Sequence, residues 1–232
     1  MKHLKLFAAL CCAAMLFAAC DKSNEPSNGA NNQNIENGRE YVDLGLPSGT
    51  LWATCNVGAN SPEEYGDYFA WGETETKITY SWSTYKYGSA HNALIKYCND
   101  ASYGKDGFTD YQTVLDPEDD AAAANWGGKW RMPTDVECTE LCKNCTWTWT
   151  TLNGVNGCKV MSKTNGNSIF LPAEGCRRHD DLDNVGLYGG YWLSSLAPVD
   201  PYCALYMYFG PDGWGRNISG RYYGFSVRPV FK

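Results

Sequence analysis

The segment from residue 147 to the C-terminus places the strongest constraint on the fold. Short runs of aromatic and β-branched residues alternate there with Gly, Asn, Asp and Pro, a pattern typical of strands joined by turns. The runs are TWTWTTL, CKVMS, SIFLPAEG, GGYWLSSL, CALYMYFG and GFSVRPVF. Pro229 lies in the last run and has no N–H to donate, which predicts an edge or closing position for that strand. We therefore expect a β-rich C-terminal half.

The preceding region predicts one hairpin and two helices. Residues 41–44 and 50–53 have the composition of strands and flank a Pro-Ser-Gly turn. Asp116 as N-cap, followed by proline, acidic residues and four alanines, predicts a first helix that stops at Gly127. A second helix is expected to begin at Thr134, where a glutamate three residues later completes a capping box.

Charge and composition limit the function. The chain has 19 Lys and Arg residues against 26 Asp and Glu residues, a net charge of -7, and only three His. It has no block of basic residues, so we exclude a nucleic-acid binder that neutralises phosphates. Hydrophobic residues make up 44% of the chain, which is enough for a packed core. With no internal repeat and no linker-like stretch after residue 38, residues 39–232 are predicted to form one domain.

The N-terminal segment predicts export. A short basic head precedes the apolar run 6–19, which is shorter than the roughly 20 residues that a membrane-spanning helix needs. Residues 1–19 are therefore predicted to be a cleaved signal peptide. The sequence LFAAC ending at Cys20 resembles a bacterial lipobox, which implies acyl chains on Cys20. The alternative is an ordinary secreted protein in which Cys20 is one more thiol.

Residues 20–38 are predicted to be a flexible tether, because they are mostly Asn, Ser, Gly, Asp and Glu and have no apolar face. With the lipid anchor, this tether predicts an outer-membrane lipoprotein that faces the cell surface or the periplasm.

Several segments together resemble a known family. They are 41–59, 66–74, 118–134, 167–175, 189–195 and 224–230. In order and spacing they resemble the Fibrobacter succinogenes major paralogous domain of Bacteroidetes lipoproteins and, more remotely, C-type-lectin-like domains with their formylglycine-generating-enzyme-like branch. The resemblance implies an α+β fold with two short helices and a twisted, mostly antiparallel sheet in which the first and last strands pair.

The cysteines are interpreted as structural. Cys138, Cys142 and Cys145 have the C-x3-C-x2-C spacing of a radical-SAM cluster, but an exported chain without the surrounding barrel does not fit that chemistry. The domain holds eight cysteines, an even number, so disulfides and free buried thiols both stay open. Zinc on three of these eight cysteines with a fourth ligand ranks behind both.

Catalysis and calcium binding find little support in the sequence. Cys176 and Cys203 are the only candidates for the reactive thiols of the formylglycine-generating branch, and neither lies in a matching motif; His91 and His179 lie in polar loops. Two acidic clusters could offer oxygens to calcium, namely Asp180, Asp181, Asp183 and Asn184, and Glu118, Asp119 and Asp120. The lectin calcium triplets are absent. We expect no enzyme activity, no cofactor and no metal.

The stretch 196–223 is the predicted recognition surface. Large aromatic residues mix there with Arg, Asn and Ser, as on many binding surfaces. The predicted ligand-binding residues are Leu196, Val199, Asp200, Tyr202, Trp214, Arg216, Asn217, Ser219, Tyr222 and Tyr223. The position of the stretch resembles the variable region of proteins rewritten by diversity-generating retroelements.

We therefore expect a membrane-anchored lipoprotein whose domain binds a glycan or a protein at the cell surface. A structural or adhesion subunit that uses the same fold as a scaffold is the alternative, and a thiol or metal enzyme ranks third.

Overall fold

The computed structural model describes residues 34–232. The predicted signal peptide, Cys20 and most of the tether lie outside these residues. Among the described residues, no helix has the length and apolar character needed to cross a membrane.

Residues 35–38, which belong to the predicted tether, form part of the N-terminal sheet. Strand β1 (Ile35–Glu36) pairs antiparallel with β2 (Arg39–Asp43). Asn37 and Gly38 form the turn with φ values of 45° and 77°, the left-handed backbone that an Asn-Gly hairpin turn uses. The Asn37 amide also donates to the carbonyl of Trp126 at 2.5 Å. These bonds attach residues 35–38 to the domain.

The predicted hairpin and helices are present, with one shifted boundary. Strand β3 (Leu51–Ala53) pairs antiparallel with β2 as expected. Asp116 and Pro117 open a short 3-10 turn, and α1 (Ala121–Trp126) begins only after it. Asp120 is the N-cap of α1, because its carboxylate accepts from two backbone N–H groups of the first turn at 2.9 and 3.0 Å.

Helix α2 (Asp135–Asn144) confirms the second prediction. The Thr134 hydroxyl accepts from the backbone N–H of Glu137, and the Glu137 carboxylate accepts from the backbone N–H of Thr134 at 2.9 Å. Glu137 also pairs with Arg131 at 2.6 and 2.8 Å, which joins the helix to the segment before it.

The C-terminal half is built from antiparallel strands, as its turn pattern predicts. Strands β4 (Cys145–Leu152), β5 (Val155–Ser162) and β6 (Ser168–Pro172) form one sheet. The short strands β7 (Cys176–Arg178) and β8 (Asp181–Asp183) form a second pair. Strands β9 (Gly189–Leu196), β10 (Cys203–Gly210) and β11 (Gly213–Gly220) form a third sheet in the order β11-β10-β9.

The chain closes on its N-terminal sheet, in a pairing that differs from the expected one. Strand β12 (Val230–Phe231) lies at the edge of the order β1-β2-β3-β12, so the last strand pairs with β3 and not with the first strand. The two-residue β1 instead forms the opposite edge. The edge position of β12 agrees with the prediction from Pro229, whose carbonyl accepts from the N–H of Ala53 at 2.9 Å.

Arg228 ties this closure to the core. Its side chain is fully buried, and its guanidinium donates to Asn56 Oδ1 at 2.8 Å and to the backbone carbonyls of Ala53, Thr54 and Phe170 at 3.0 to 3.2 Å. Buried cations are tolerated when their donors are satisfied in this way. With two helices and antiparallel pairing between all the named strands of residues 34–232, the fold class is α+β.

Candidate ligand-binding cleft

The predicted recognition stretch contains a strand that the sequence did not reveal. Residues 213–220, which are not among the predicted strands, form β11 and pair along its whole length with β10 through the two-residue turn Pro211-Asp212. Side chains of a strand alternate between the two faces of its sheet. The ten predicted residues therefore do not form one surface.

Trp214 and Arg216 point to the face that packs against α2 and β4. The register pairs Trp214 with Phe209 and Arg216 with Met207, two buried residues of the core beneath α2. The Trp214 indole stacks on Trp147, and the Arg216 guanidinium forms an ion pair with Asp135.

Asn217 and Ser219 lie on the opposite face, paired with Tyr206 and Ala204. That face packs on a second core around Trp192.

The remaining predicted residues also separate. Leu196 is buried in the core, and Val199 lies in the loop after it with 80% of its surface exposed. Asp200 closes a turn in which its carbonyl accepts from the N–H of Cys203 at 2.8 Å. Only Tyr202, Tyr222 and Tyr223 converge on one concave site.

That site is a cleft of about 620 Å³, a size within the usual range of small-molecule sites. Three of its residues come from a part of the chain outside the predicted recognition stretch. The lining residues are Trp82, His91, Tyr103, Tyr202, Gly220, Tyr222 and Tyr223.

The aromatic rings of the cleft form two groups. In the first, the Trp82 and Tyr222 centroids lie 5.1 Å apart, and Tyr222 lies 4.7 Å from Tyr223. In the second, Tyr202 lies 5.5 Å from Tyr103 and 5.9 Å from His91. The five Trp and Tyr side chains are half-buried, so part of each is open to solvent.

Local hydrogen bonds hold the first group in place. Trp82 opens a 3-10 turn (Trp82–Thr84) in which the Thr84 hydroxyl donates to the carbonyl of Thr79 at 2.7 Å. The backbones of Tyr80 and His179 exchange two hydrogen bonds of 2.8 Å, which fasten this turn to the strand pair β7 and β8.

The second group is held by backbone contacts of distant segments. The N–H of Leu94 donates to the carbonyl of Tyr103 at 3.0 Å, and the N–H of Arg221 donates to the carbonyl of Tyr202 at 3.1 Å. These two bonds position Tyr103 and Tyr202 from separate parts of the chain.

Gly220 allows the rings to approach the backbone. A Cβ at this position would lie 3.0 Å from Cε1 of Tyr222, closer than nearly all real contacts of that kind. Any larger residue would force the Tyr222 ring to move.

The surroundings of Tyr222 and Tyr202 favour the protonated form of their hydroxyl groups. Burial, followed by the contact with Tyr223, raises the pKa of Tyr222 to about 12. The neighbouring Cys203 and Asp200 raise the pKa of Tyr202. No Asp, Glu, Lys or Arg side chain of residues 34–232 lines the cleft. It therefore offers flat aromatic faces with hydrogen-bonding groups at their edges.

In each of the two predicted acidic clusters, one carboxylate accepts hydrogen bonds from protein donors. Asp119 is buried and accepts from Lys96 Nζ at 2.6 Å, from the Tyr97 hydroxyl at 2.7 Å and from the Tyr87 hydroxyl. Burial opposes ionisation, but these donors outweigh it and lower the pKa of Asp119 to about 2. In the other acidic cluster, Asp180 accepts from Thr79 at 2.5 Å.

All eight cysteines of residues 34–232 are free thiols. Burial raises the pKa of Cys176 and of Cys203 to about 11, so both are protonated at neutral pH. A protonated, buried thiol is a weak nucleophile. This chemistry gives no support to a reactive cysteine at either position.

Comparison of the chain with protein-family models, with curated proteins and with solved structures finds no match.

Proposed function

We propose that this protein is an outer-membrane lipoprotein that binds a glycan in the aromatic cleft. The observation that carries the proposal is the meeting of five half-buried Trp and Tyr rings, in two groups, around a concave space that no Asp, Glu, Lys or Arg of the described residues lines. The sequence resemblance to the Fibrobacter succinogenes major paralogous domain and to C-type-lectin-like domains is compatible with this assignment, as is the observed α+β class.

Glycan chemistry matches the cleft in two ways. The apolar C–H face of a pyranose ring packs on aromatic rings, and Tyr and Trp offer that area with little loss of side-chain entropy. The sugar hydroxyls meet the hydroxyls of Tyr202 and Tyr222 and the imidazole of His91, which can exchange hydrogen bonds with them. Because no carboxylate of the described residues lines the cleft, we propose binding without calcium.

The proposal is tested with the full chain in detergent micelles. A glycan array is expected to identify a saccharide, whose affinity is then measured by isothermal titration. Tyr202→Ala should weaken binding about tenfold, since one stacking surface and one hydroxyl are lost. Tyr111→Ala is the matched control, because Tyr111 is 71% exposed and lies outside the cleft. Equal affinities of the wild type and Tyr202→Ala would contradict the proposal, as would loss of binding with EDTA.

The anchor is tested separately. Radiolabelled palmitate should enter the wild-type chain in cells and should not enter Cys20→Ser. Labelling of both forms, or of neither, would argue for the secreted alternative.

The variable-region proposal has its own measurement. Sequencing of the DNA for residues 191–232 across a population is expected to show changes at adenine positions, together with a nearby template repeat. An invariant segment without a repeat would indicate a fixed ligand.

A protein-binding role is the second candidate. Strand β11 is an edge strand, and Trp214 and Ile218 on it are 45% and 39% exposed. An exposed edge can pair with a strand of another protein. Ile218→Lys would abolish such pairing without changing glycan affinity, which separates the two candidates.

A further inference from the structure

Strand β11 has a long open edge. It is eight residues long and lies at one edge of the sheet order β11-β10-β9. Residues 216–218 in its middle are exposed to solvent. The strand holds no Pro and no Lys, the residues that commonly block an edge. A free edge of this length is a template for pairing with another strand.

The hydrogen-bond pattern with β10 decides which backbone groups face this edge. The N–H of Arg221 donates to the carbonyl of Tyr202 at 3.1 Å, one residue beyond the last pair of the register. Residues of an antiparallel pair alternate between bonding to the neighbouring strand and facing away from it. The N–H and C=O groups of Trp214, Arg216 and Ile218 therefore face outward.

The Ile218 N–H is open to a new acceptor. It donates to the side-chain oxygen of Asn217, its neighbour in the chain, at 2.9 Å. Asn217 is exposed, so its oxygen can return to water when a carbonyl from another strand takes its place. The exchange leaves no buried polar group without a partner.

We propose that two copies of this chain pair edge to edge through β11, antiparallel, about a two-fold axis at Arg216. In this register Trp214 of each copy lies opposite Ile218 of the other, and the two Arg216 residues lie opposite each other. Every outward N–H and C=O of these three residues then meets a partner. The proposal names the occupant of the edge strand on which the protein-binding role depends, and it does not require glycan binding.

The spacing of the side chains selects this register and this partner. Trp214 and Ile218 are the exposed large apolar residues of β11, and each lies two residues from Arg216 on the same face. An aromatic residue directly opposite a β-branched one is a favourable cross-strand pair. Strand β11 is therefore complementary to a second copy of itself at both positions. A register shifted by two residues places Trp214 opposite Gly220 or Arg216 and loses both pairs.

The charge at the axis is compensated. Two arginines directly opposite each other destabilise a strand pair when both charges are free. Each Arg216 instead forms an ion pair with Asp135 of its own copy, in the first turn of α2. The axis thus passes between two neutralised pairs.

The dimer carries two clefts. Gly220 lines the cleft and ends β11, and in this register it lies opposite Asp212 of the second copy. Along the paired strands the two Gly220 residues are therefore roughly 27 Å apart, at about 3.4 Å per residue. One dimer can then bind a repetitive glycan at two points, which raises its avidity. This consequence alone rests on the proposed glycan binding.

A cysteine on the axis tests the register. Full-length Arg216→Cys, in detergent with micelles in excess over protein, is treated with a mild oxidant. Directly opposite residues of a hydrogen-bonded pair have Cα atoms about 5.5 Å apart, which suits a disulfide. We expect most of the chain to run as a covalent dimer in non-reducing electrophoresis. The wild type gives the background from the native cysteines.

Asn217→Cys is the matched control for this cross-link. Asn217 is also exposed, but in this register it lies opposite Gly215 of the second copy. The two introduced cysteines are therefore too far apart to join, and the variant should give no more dimer than the wild type.

The contribution of the apolar pairs is measured without a new cysteine. Sedimentation equilibrium of the full chain in density-matched detergent should show a dimer for the wild type. Ile218→Lys should raise the dimer dissociation constant at least tenfold, because a charged side chain then lies opposite Trp214. Ile78→Lys is the control, because Ile78 is 83% exposed and lies outside β11, and it should dimerise as the wild type does. If near-ultraviolet circular dichroism shows a changed fold in Ile218→Lys, Ile218→Thr replaces it.

Each opposite result overturns the proposal. A wild-type chain that stays monomeric would show that the edge is free or is covered by another segment or protein. Cross-linking of Arg216→Cys no greater than that of the wild type excludes an axis at Arg216, and cross-linking of Asn217→Cys in its place shows a different register. Equal dissociation constants for Ile218→Lys and Ile78→Lys would mean that the copies meet elsewhere. None of these results depends on the glycan titration, so the two proposals fail separately.

Discussion

The indole of Trp214 lies parallel to that of Trp147, with ring centroids 5.9 Å apart and 7° between the ring planes. This stack joins β11 to β4 and places Trp214 on the face of the sheet that packs against α2. An exposed tryptophan in the predicted recognition stretch thus has a structural role. The cleft lies elsewhere, where Tyr202, Tyr222 and Tyr223 meet Trp82 and Tyr103.

Trp214→Ala should therefore lower stability and leave glycan affinity unchanged. Loss of an aromatic pair costs about 1 kcal/mol beyond the lost burial. Urea unfolding measures the first effect and isothermal titration the second. A tenfold loss of affinity in a folded variant would place Trp214 in the ligand site after all.

Gly220→Ala should lower the affinity for the glycan with little effect on the rest of the fold. The added Cβ would lie 3.0 Å from the Tyr222 ring, so this ring, which lines the cleft, must move. We expect a several-fold loss of glycan affinity and a change in unfolding free energy of about 1 kcal/mol or less. Gly210→Ala is the control, because its Cβ would meet only one atom, at an ordinary 3.5 Å. If both variants bind equally well, the close packing at Gly220 does not shape the site.

Glu174 predicts a pH dependence of stability. Its side chain is fully buried, Oε1 accepts from the N–H of Gly190 at 2.8 Å, and Oε2 has no partner. Burial raises the pKa of Glu174 well above its ordinary value. Between the pKa of Glu174 in the unfolded state and its pKa in the folded state, only the folded protein keeps the carboxyl proton. The contribution of Glu174 to the free energy of unfolding is therefore fully present below the unfolded-state pKa and declines as the pH rises toward the folded-state pKa.

Glu174→Gln removes this titration. Urea unfolding at pH 5 and pH 8 should show a smaller difference in unfolding free energy for the variant than for the wild type. An unchanged difference would mean that Glu174 does not titrate in this range.

Asp119 is expected to be the most sensitive acidic residue. Its replacement by Asn leaves Lys96 without its closest carboxylate and weakens the bonds from Tyr87 and Tyr97, at a cost of about 3 kcal/mol. Because the pKa is lowered to about 2, the stabilisation is present above the ordinary Asp pKa and is lost as the pH falls toward 2. Chemical unfolding at pH 7 and pH 3 measures both effects. Glu118→Gln, at a side chain that is 79% exposed, should change stability by less than about 0.5 kcal/mol.

Helix caps and turn residues in the sequence predicted those helices and strands whose ends are set by neighbouring residues. The capping box of Thr134 and Glu137 located the start of α2, and the turns of the C-terminal half located β4, β5, β9 and β10. The N-cap of α1 was placed at Asp116 instead of Asp120, because two aspartates in one short segment both suit a cap. Strand β11 was missed because glycine and polar residues mask its alternation, and its pairing with β10 decides its conformation.

The sequence by itself determined the α+β class, the second helix, most strands and the three tyrosines 202, 222 and 223 of the cleft. Only the tertiary structure decided which side chains share a surface. Because side chains alternate along β11, Trp214 and Arg216 lie on one face of the sheet and Asn217 and Ser219 lie on the other. Chain closure brought Trp82, His91 and Tyr103 to tyrosines about a hundred residues away. Such contacts depend on packing between distant segments, and no local pattern of residues encodes them.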